Sequence, residues 1–414
     1  MKTALREGFT TGSAATGAAL AALCLLREGH APHEVDVPLP PFAPAPADVR
    51  PANPSPAGGE GGALTDVPHG WRRLPVAFCG SGPAPELCDP PQPLPAGRAA
   101  HAVVIKDGGD DPDATHGARI TVTVIEGADA AEDPTEARQT AGSPDLPSPP
   151  IHIDGGPGVG RVTLPGLPVP VGAAAINPVP RRQMEWALRH ALQTRPGARR
   201  PLTVLVSVPQ GAALAEHTFN SRLGIVGGIS ILGTQGTVRP FSHAAWKATI
   251  AQGLEVVRAT GCPAVGLSTG RRSERLLMAR HPHLPALAFV QVADFAAFSL
   301  KAAGALPNIQ IIWGCFFGKL LKLAQGHAYT HARSADLDLE TLAALCRKHG
   351  AACSQAVARC TTAAQALELL LPEAAGPAVL RAVTAQAAGV AAGFAGRPVR
   401  LHLFHTDGRE LVTL

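Results

Sequence analysis

Residues 202–236, LTVLVSVPQGAALAEHTFNSRLGIVGGISILGTQG, set two apolar runs around glycine-studded turns, and this pattern restricts the fold more than any other stretch. The first run, Leu202 to Val208, is rich in β-branched residues and reads as a strand that Pro209 and Gly211 stop. The second, Ile225 to Leu232, is flanked and interrupted by glycines at 224, 227, 228, 233 and 236, which leave the backbone almost bare. Glycine permits φ > 0 and lets another group come close to the main chain. Two arrangements meet that description: a surface against which something flat or phosphate-like lies, and a buried glycine-rich strand with a tight turn.

From residue 202 onward the chain alternates strand, glycine-rich turn and helix. Trp246, Ile250, Leu254 and Val257 share one helical face that ends at Gly261; Ala264 to Leu267 is a strand opening into STGRRSE. Ala286 to Val292 and Phe295 to Ala303 read as strand and helix joined at Asp294, and Ile309 to Trp313 as a strand feeding GCFFGKLLKLAQG. Such alternation predicts a mainly parallel sheet, with ligands at the carboxyl ends of its strands, where Gly233, Thr269, Asp294 and Gly314 to Lys319 would sit. The expected organisation is α/β and α+β: an N-terminal mixed α+β domain over 1–200, a Rossmann-like domain over 201–345, and a C-terminal helical segment with a β-hairpin at Asp407-Gly408 over 346–414. Pro-rich insertions interrupt the first domain at about 38–98 and 129–150.

A formal net charge of +4 with only 16% charged residues lacks the basic footprint of a nucleic-acid binder. An anionic partner must be met by local groups such as Arg271, Arg272 and Arg275, which otherwise form a solvated face. The eight cysteines show no CxxC or CxH spacing, which argues against a zinc site and a disulfide framework and fits reduced thiols in the cytoplasm. Ala14 to Leu26 reads as a packed helix capped by Ser13 and stopped by Gly29, and no run reaches the roughly 18 apolar residues of a membrane span.

Several groups can carry chemistry, each beside a plainer role. The turn KDGGDDPDATHG, residues 106–117, brings together Asp107, Asp110, Asp111, Asp113 and His116, either as a cation or general-base site or as an Asx-rich turn capping itself. Thr10, Thr11 and Ser13 face a helix N-terminus and can hold an anion or merely cap. His327 and His331 have i, i+4 spacing without an intervening HExxH glutamate. Lys319 lies near a predicted helix N-terminus, where the dipole disfavours a cation, so it invites an anionic partner. Asp294 can accept from a ribose hydroxyl or cap the next helix.

Six stretches together carry a family resemblance: REGFTTGSAAT at 6–16, VIKDGGDDPDATHGA at 104–118, GVGRVTLPGLPVPVGAAAINPVPR at 158–181, TFNSRLGIVGGISILGTQGTVRP at 218–240, STGRRSE at 268–274, and FGKLLKLAQG with THARSADLDLE at 317–340. They resemble the cobalt-precorrin-5B (C1)-methyltransferase (CbiD) family. The resemblance implies a cytoplasmic enzyme of anaerobic cobalamin synthesis that moves a methyl group from S-adenosyl-L-methionine to C1 of a corrinoid whose cobalt is carried by the substrate. It implies no nucleic-acid or membrane partner, and is compatible with a homo-oligomer and with transient contact to other cobalamin-pathway enzymes. Departures are the two insertions, Cys315-Phe316-Phe317 before GKLLKLA, and Leu164 where the family often has Lys.

On that reading Gly227, Gly228, Gly233, Thr234 and Asp294 border the S-adenosylmethionine pocket with Thr269 and Lys319 near it. Arg271, Arg272, Thr10, Thr11 and Ser13 meet substrate carboxylates, and Asp110, Asp113 or His116 handles any released proton; no protein metal ligand is expected. The competing classes are a non-catalytic tetrapyrrole carrier and a nucleotide-dependent phosphotransferase, the latter opposed by the missing Walker lysine.

Overall fold

The computed structural model describes residues 5–41, 70–81, 98–127, 149–194 and 200–414, so most of both Pro-rich insertions lies outside the described residues. The chain forms two compact units, one of 1–163 with 168–242, the other of 164–167 with 243–414.

The first unit is built on a five-stranded sheet in the order Phe78–Gly80, Arg98–Ile105, Arg119–Glu126, Leu202–Ser207, Ile151–Gly155. All neighbours are antiparallel except the last pair, which is parallel. The helix Thr11–Glu28 lies on this sheet and against the helix Pro178–Thr194. Its sequence is almost all Ala, Gly, Leu and Thr, so it is apolar around its whole circumference and nearly every residue is buried. Thr10, not Ser13, is the N-cap: its Oγ1 accepts from the Ser13 N–H. Gly29, at φ 67°, ends the helix in the left-handed conformation, as the sequence predicts.

The second unit holds a five-stranded sheet ordered Phe289–Gln291, Ala264–Ser268, Gln310–Phe316, Val399–Phe404, Glu410–Thr413. Four strands are parallel and the last returns antiparallel through the Asp407-Gly408 hairpin. The strands read as continuous apolar runs because helices cover the sheet; Ala264 to Ser268 are buried without exception.

Two expectations about boundaries are corrected. Strand Leu202–Ser207 opens no second domain: it pairs with Arg119–Glu126 and Ile151–Gly155, and residues 224–236 stay with it, so the border falls after 242 rather than at 200. The segment 346–414 is no appendage, because it supplies two of the five strands and the helix Gly376–Ala395 to the second core. By length and composition that helix alone among the described residues would suffice to cross a membrane, against the expectation that no run would; its inner face, Val379, Leu380, Val383 and Ala387, is buried in the core.

Candidate functional site

In the first unit, most of the residues picked out by glycine and hydroxyl patterns hold the backbone together. Thr10, Thr11 and Ser13 are buried. Thr11 Oγ1 donates to the Leu232 carbonyl at 3.1 Å and accepts from the Leu232 N–H at 2.9 Å, while Ser13 Oγ donates to the Gly236 carbonyl at 2.8 Å. These hydroxyls splice the helix N-terminus to the 232–236 loop, which corrects the expectation that they face substrate carboxylates. Gly233, at φ 142°, packs so closely that a Cβ there would stand 2.4 Å from Thr10 Oγ1. A Cβ on Gly228 would stand 2.1 Å from the Gly158 carbonyl oxygen, so its bare face is covered by another strand. Gly227 and Thr234, by contrast, are exposed.

The acidic turn is likewise engaged. Asp110 accepts from the Arg6 N–H at 2.7 Å, and Asp111 from the Phe241 N–H at 2.9 Å. His116 is exposed and its Nδ1 accepts from the Gly108 N–H at 3.0 Å. Asp113 is ion-paired with the buried Lys106 and accepts from the Thr115 N–H and Oγ1 at 2.7 and 2.6 Å. Burial pushes the Asp113 carboxyl up, but the Lys106 charge and the Lys106 and Thr115 hydrogen bonds outweigh it and hold the group below the usual carboxylate range. A base working near neutrality needs the opposite shift, and both Asp113 oxygens are already engaged, by Lys106 and Thr115.

The second unit gathers a different constellation at the carboxyl edge of its parallel sheet. Asp294 follows strand Phe289–Gln291, and Lys319 lies in the first turn of the helix Phe317–Ala324 that follows strand Gln310–Phe316. The two are ion-paired, so the anionic partner that Lys319 calls for belongs to the chain itself. Asp294 does not cap the next helix, which has no side-chain cap. Instead its Oδ1 also accepts from Thr330 Oγ1 at 3.2 Å, and its carbonyl from the Thr330 N–H at 3.0 Å. Lys319 Nζ donates to the Thr330 carbonyl at 3.1 Å; Lys322 Nζ lies 3.4 Å from the carbonyls of Thr330 and His331. Burial, then the neighbouring Lys319 ammonium, pulls the Lys322 pKa down. Ala293 adopts φ 47°, a left-handed conformation that costs a non-glycine residue about 1–2 kcal/mol and sets the turn that aims Asp294.

Rings border this cluster. Tyr329 Oη lies 3.2 Å from His243 Nε2, and the Phe295, His243 and Tyr329 ring centroids are 5.0–5.2 Å apart. Burial and the Asp294 charge raise the Tyr329 pKa, keeping its hydroxyl protonated. At the same sheet edge, Thr269 Oγ1 lies 3.4 Å from Ser273 Oγ. Arg272 stacks on Phe316 and donates to the Thr406 carbonyl at 2.6 Å, whereas Arg271 is exposed and has no ion pair among the described residues.

The structure therefore brings Asp294 and Lys319 together and places Thr269, Arg271 and Arg272 just after the strand Ala264–Ser268 of the same sheet, while Gly227, Gly228, Gly233 and Thr234 belong to the first unit. Sequence patterns missed Thr330, Tyr329 and His243. The only available signal was that Tyr329, the single tyrosine of the chain, falls inside GHAYTH.

Comparison with known proteins assigns the class. The family model described as CbiD matches residues 1–53 and 94–240, and that described as CbiD, C-terminal domain, matches 329–413. A relative from Nitratidesulfovibrio vulgaris named cobalt-precorrin-5B C(1)-methyltransferase is 49% identical over all of this chain and 93% of its own length. One of the same name from a Geobacillus species is 40% identical over 89% of this chain and 85% of its own. A solved structure titled cobalamin biosynthesis protein (cbiD) from Archaeoglobus fulgidus is 21% identical and covers 76% of this chain and 78% of that one, with a TM-score of 0.33. The chain belongs to the CbiD family.

Proposed function

We propose that the protein transfers the methyl group of S-adenosyl-L-methionine to carbon C1 of cobalt-precorrin-5B, giving cobalt-precorrin-6A, in the anaerobic branch of cobalamin biosynthesis in the cytoplasm. The observation that carries this reading is the full-length 49% identity to a relative named for that reaction.

The chemistry suits what the residues supply. The sulfonium carbon is already electrophilic; the ring carbon's electron pair forms the new C–C bond as the S–C bond breaks, and the donor leaves as a neutral thioether. No protein nucleophile is required, and alignment of the two reactants supplies the acceleration, with effective molarities of about 10⁵–10⁸ M for well-oriented partners. At the carboxyl edge of the second sheet Lys319 pairs with Asp294, and Lys322 beside it is held by the carbonyls of Thr330 and His331, with the charges of Asp294 and Asp336 near it. Lys319, partly exposed, is the ammonium that a ligand carboxylate meets. Asp294 Oδ2 has no hydrogen bond among the described residues and stands ready to accept from a ligand hydroxyl, the Rossmann-like role of an acid after a strand. Phe295, Tyr329 and His243 give the flanking planar surfaces, and Arg271, exposed at the start of the helix Arg271–Arg280, meets a further carboxylate.

Calorimetric titration of the full chain with S-adenosyl-L-methionine tests the assignment. Lys319→Met should weaken binding by roughly 10–100-fold, the worth of one hydrogen bond to a charged group. Unchanged affinity would remove this edge from the donor site.

A further inference from the structure

Outside the constellation above, the C-terminal end of the helix Thr11–Glu28 assembles three side chains of different metal-ligating type. The potential ligand atoms of Cys24, Glu28 and His30 all lie within 4.8 Å of one another. Cys24 Sγ is 3.4 Å from Glu28 Oε2 and 4.0 Å from His30 Nδ1. Donors about 2.0–2.3 Å from a tetrahedral zinc stand roughly 3.3–3.8 Å apart; the Cys24–Glu28 spacing lies in that range, and exposed His30 closes on the ion by rotating its ring inward.

The local sequence explains the convergence. Cys24 and Glu28 are four residues apart and so share a helical face. Gly29 at φ 67° then turns the chain back, which returns His30 over the last helical turn. The carbonyl end of a helix is its negative pole and favours a cation there. Cys24 is buried while Glu28 and His30 are exposed, so the thiol forms the floor of the site and an ion enters from solvent. Cys79, on the strand Phe78–Gly80, donates its thiol proton to the Ala21 carbonyl at 3.4 Å, one turn before Cys24.

We propose that Cys24 Sγ, Glu28 and His30 Nδ1 bind one divalent transition-metal ion of the zinc class, with water in the remaining position. A thiolate, an imidazole and a carboxylate together select a borderline-soft ion over magnesium or calcium. The site is independent of methyl transfer and ties the helix end to the turn after it.

The test uses the full chain stripped of metal and titrated with Zn²⁺ against a competing chelator, and separately with Co²⁺ as a spectroscopic probe. The expected result is one Zn²⁺ per chain with submicromolar Kd and a thiolate-to-cobalt charge-transfer band. His30→Ala, in an exposed position beyond the helix, should leave the circular dichroism spectrum unchanged and weaken Zn²⁺ at least tenfold; Cys24→Ser should abolish the band. Absence of stoichiometric binding in the unaltered chain, or His30→Ala binding Zn²⁺ as tightly as it does, would overturn the proposal.

Discussion

Replacing Gly228 by alanine separates a packed glycine from an exposed one, because its neighbour Gly227 provides the control. An added Cβ at 228 would stand 2.1 Å from the Gly158 oxygen, 2.3 Å from its carbonyl carbon and 2.8 Å from the Gly160 nitrogen, all main-chain atoms that cannot rotate away. Gly228–Ile229 runs parallel to Gly158–Val159, so relief requires the two segments to separate by about 1 Å. That motion stretches the Gly160 N–H to Ile229 carbonyl bond, 2.9 Å, and the buried Asn220 Nδ2 to Gly228 carbonyl bond, 3.1 Å. Overpacking of about 1–3 kcal/mol plus about 1 kcal/mol for each weakened hydrogen bond gives a loss of roughly 3–5 kcal/mol, a large share of a typical stability. Gly227 is exposed, with open space at its Cβ position and φ 84°, so alanine there should cost only about 1–2 kcal/mol of backbone strain. Urea unfolding followed by circular dichroism measures both. If Gly228→Ala is as stable as the unaltered protein, or more stable than Gly227→Ala, the argument that these glycines exist for strand-to-strand contact is wrong.

Further perturbations address the charged groups. Asp113→Asn leaves the ammonium of buried Lys106 without its carboxylate and should cost about 2–4 kcal/mol at neutral pH. Since the folded Asp113 pKa lies below its unfolded value of about 3.9, its stabilisation is present above that pH and lost as pH falls through the folded pKa. The variant should therefore show a flatter acid limb in stability against pH, and an identical limb would contradict the pairing. Asp294→Asn removes the carboxylate paired with Lys319; with both members of the pair partly exposed, denaturant melts should show a loss of about 1–3 kcal/mol, and no loss would mean the pair is idle. Arg271→Ala, at an exposed position, should leave stability within about 0.5 kcal/mol while raising KM for the corrinoid; a change in Tm without a change in KM would reverse that assignment.

Local chemistry was legible wherever a single residue decides a local conformation. Gly29 as a helix stop, Asp407-Gly408 as a hairpin, and the buried face Ile250, Leu254 and Val257 follow from φ preferences and periodicity alone, whereas Trp246, expected on that same face, is exposed. What a strand pairs with is not local: Leu202 to Ser207 reads the same whether its neighbour runs parallel or antiparallel, and it has one of each. The glycines were visible but their purpose was not, because nothing in the chain near 228 announces that Gly158 will cross it. The candidate site was half legible. Asp294 and Lys319 stood out by their places after strands, yet their mutual pairing across 25 residues, and the role of Thr330, arise only when the sheet brings its edges together. The trio Cys24, Glu28 and His30 escaped because it matches no cysteine-pair spacing and depends on the turn at Gly29.

The decisive measurement is the fate of a labelled methyl group. The purified chain is incubated anaerobically with S-adenosyl-L-methionine carrying ¹³C in its methyl group and with cobalt-precorrin-5B, and the product is located by nuclear magnetic resonance. A single labelled methyl on C1, absent without protein, is the predicted result. Label elsewhere on the ring, or a corrinoid that is bound but left unmethylated, would contradict it.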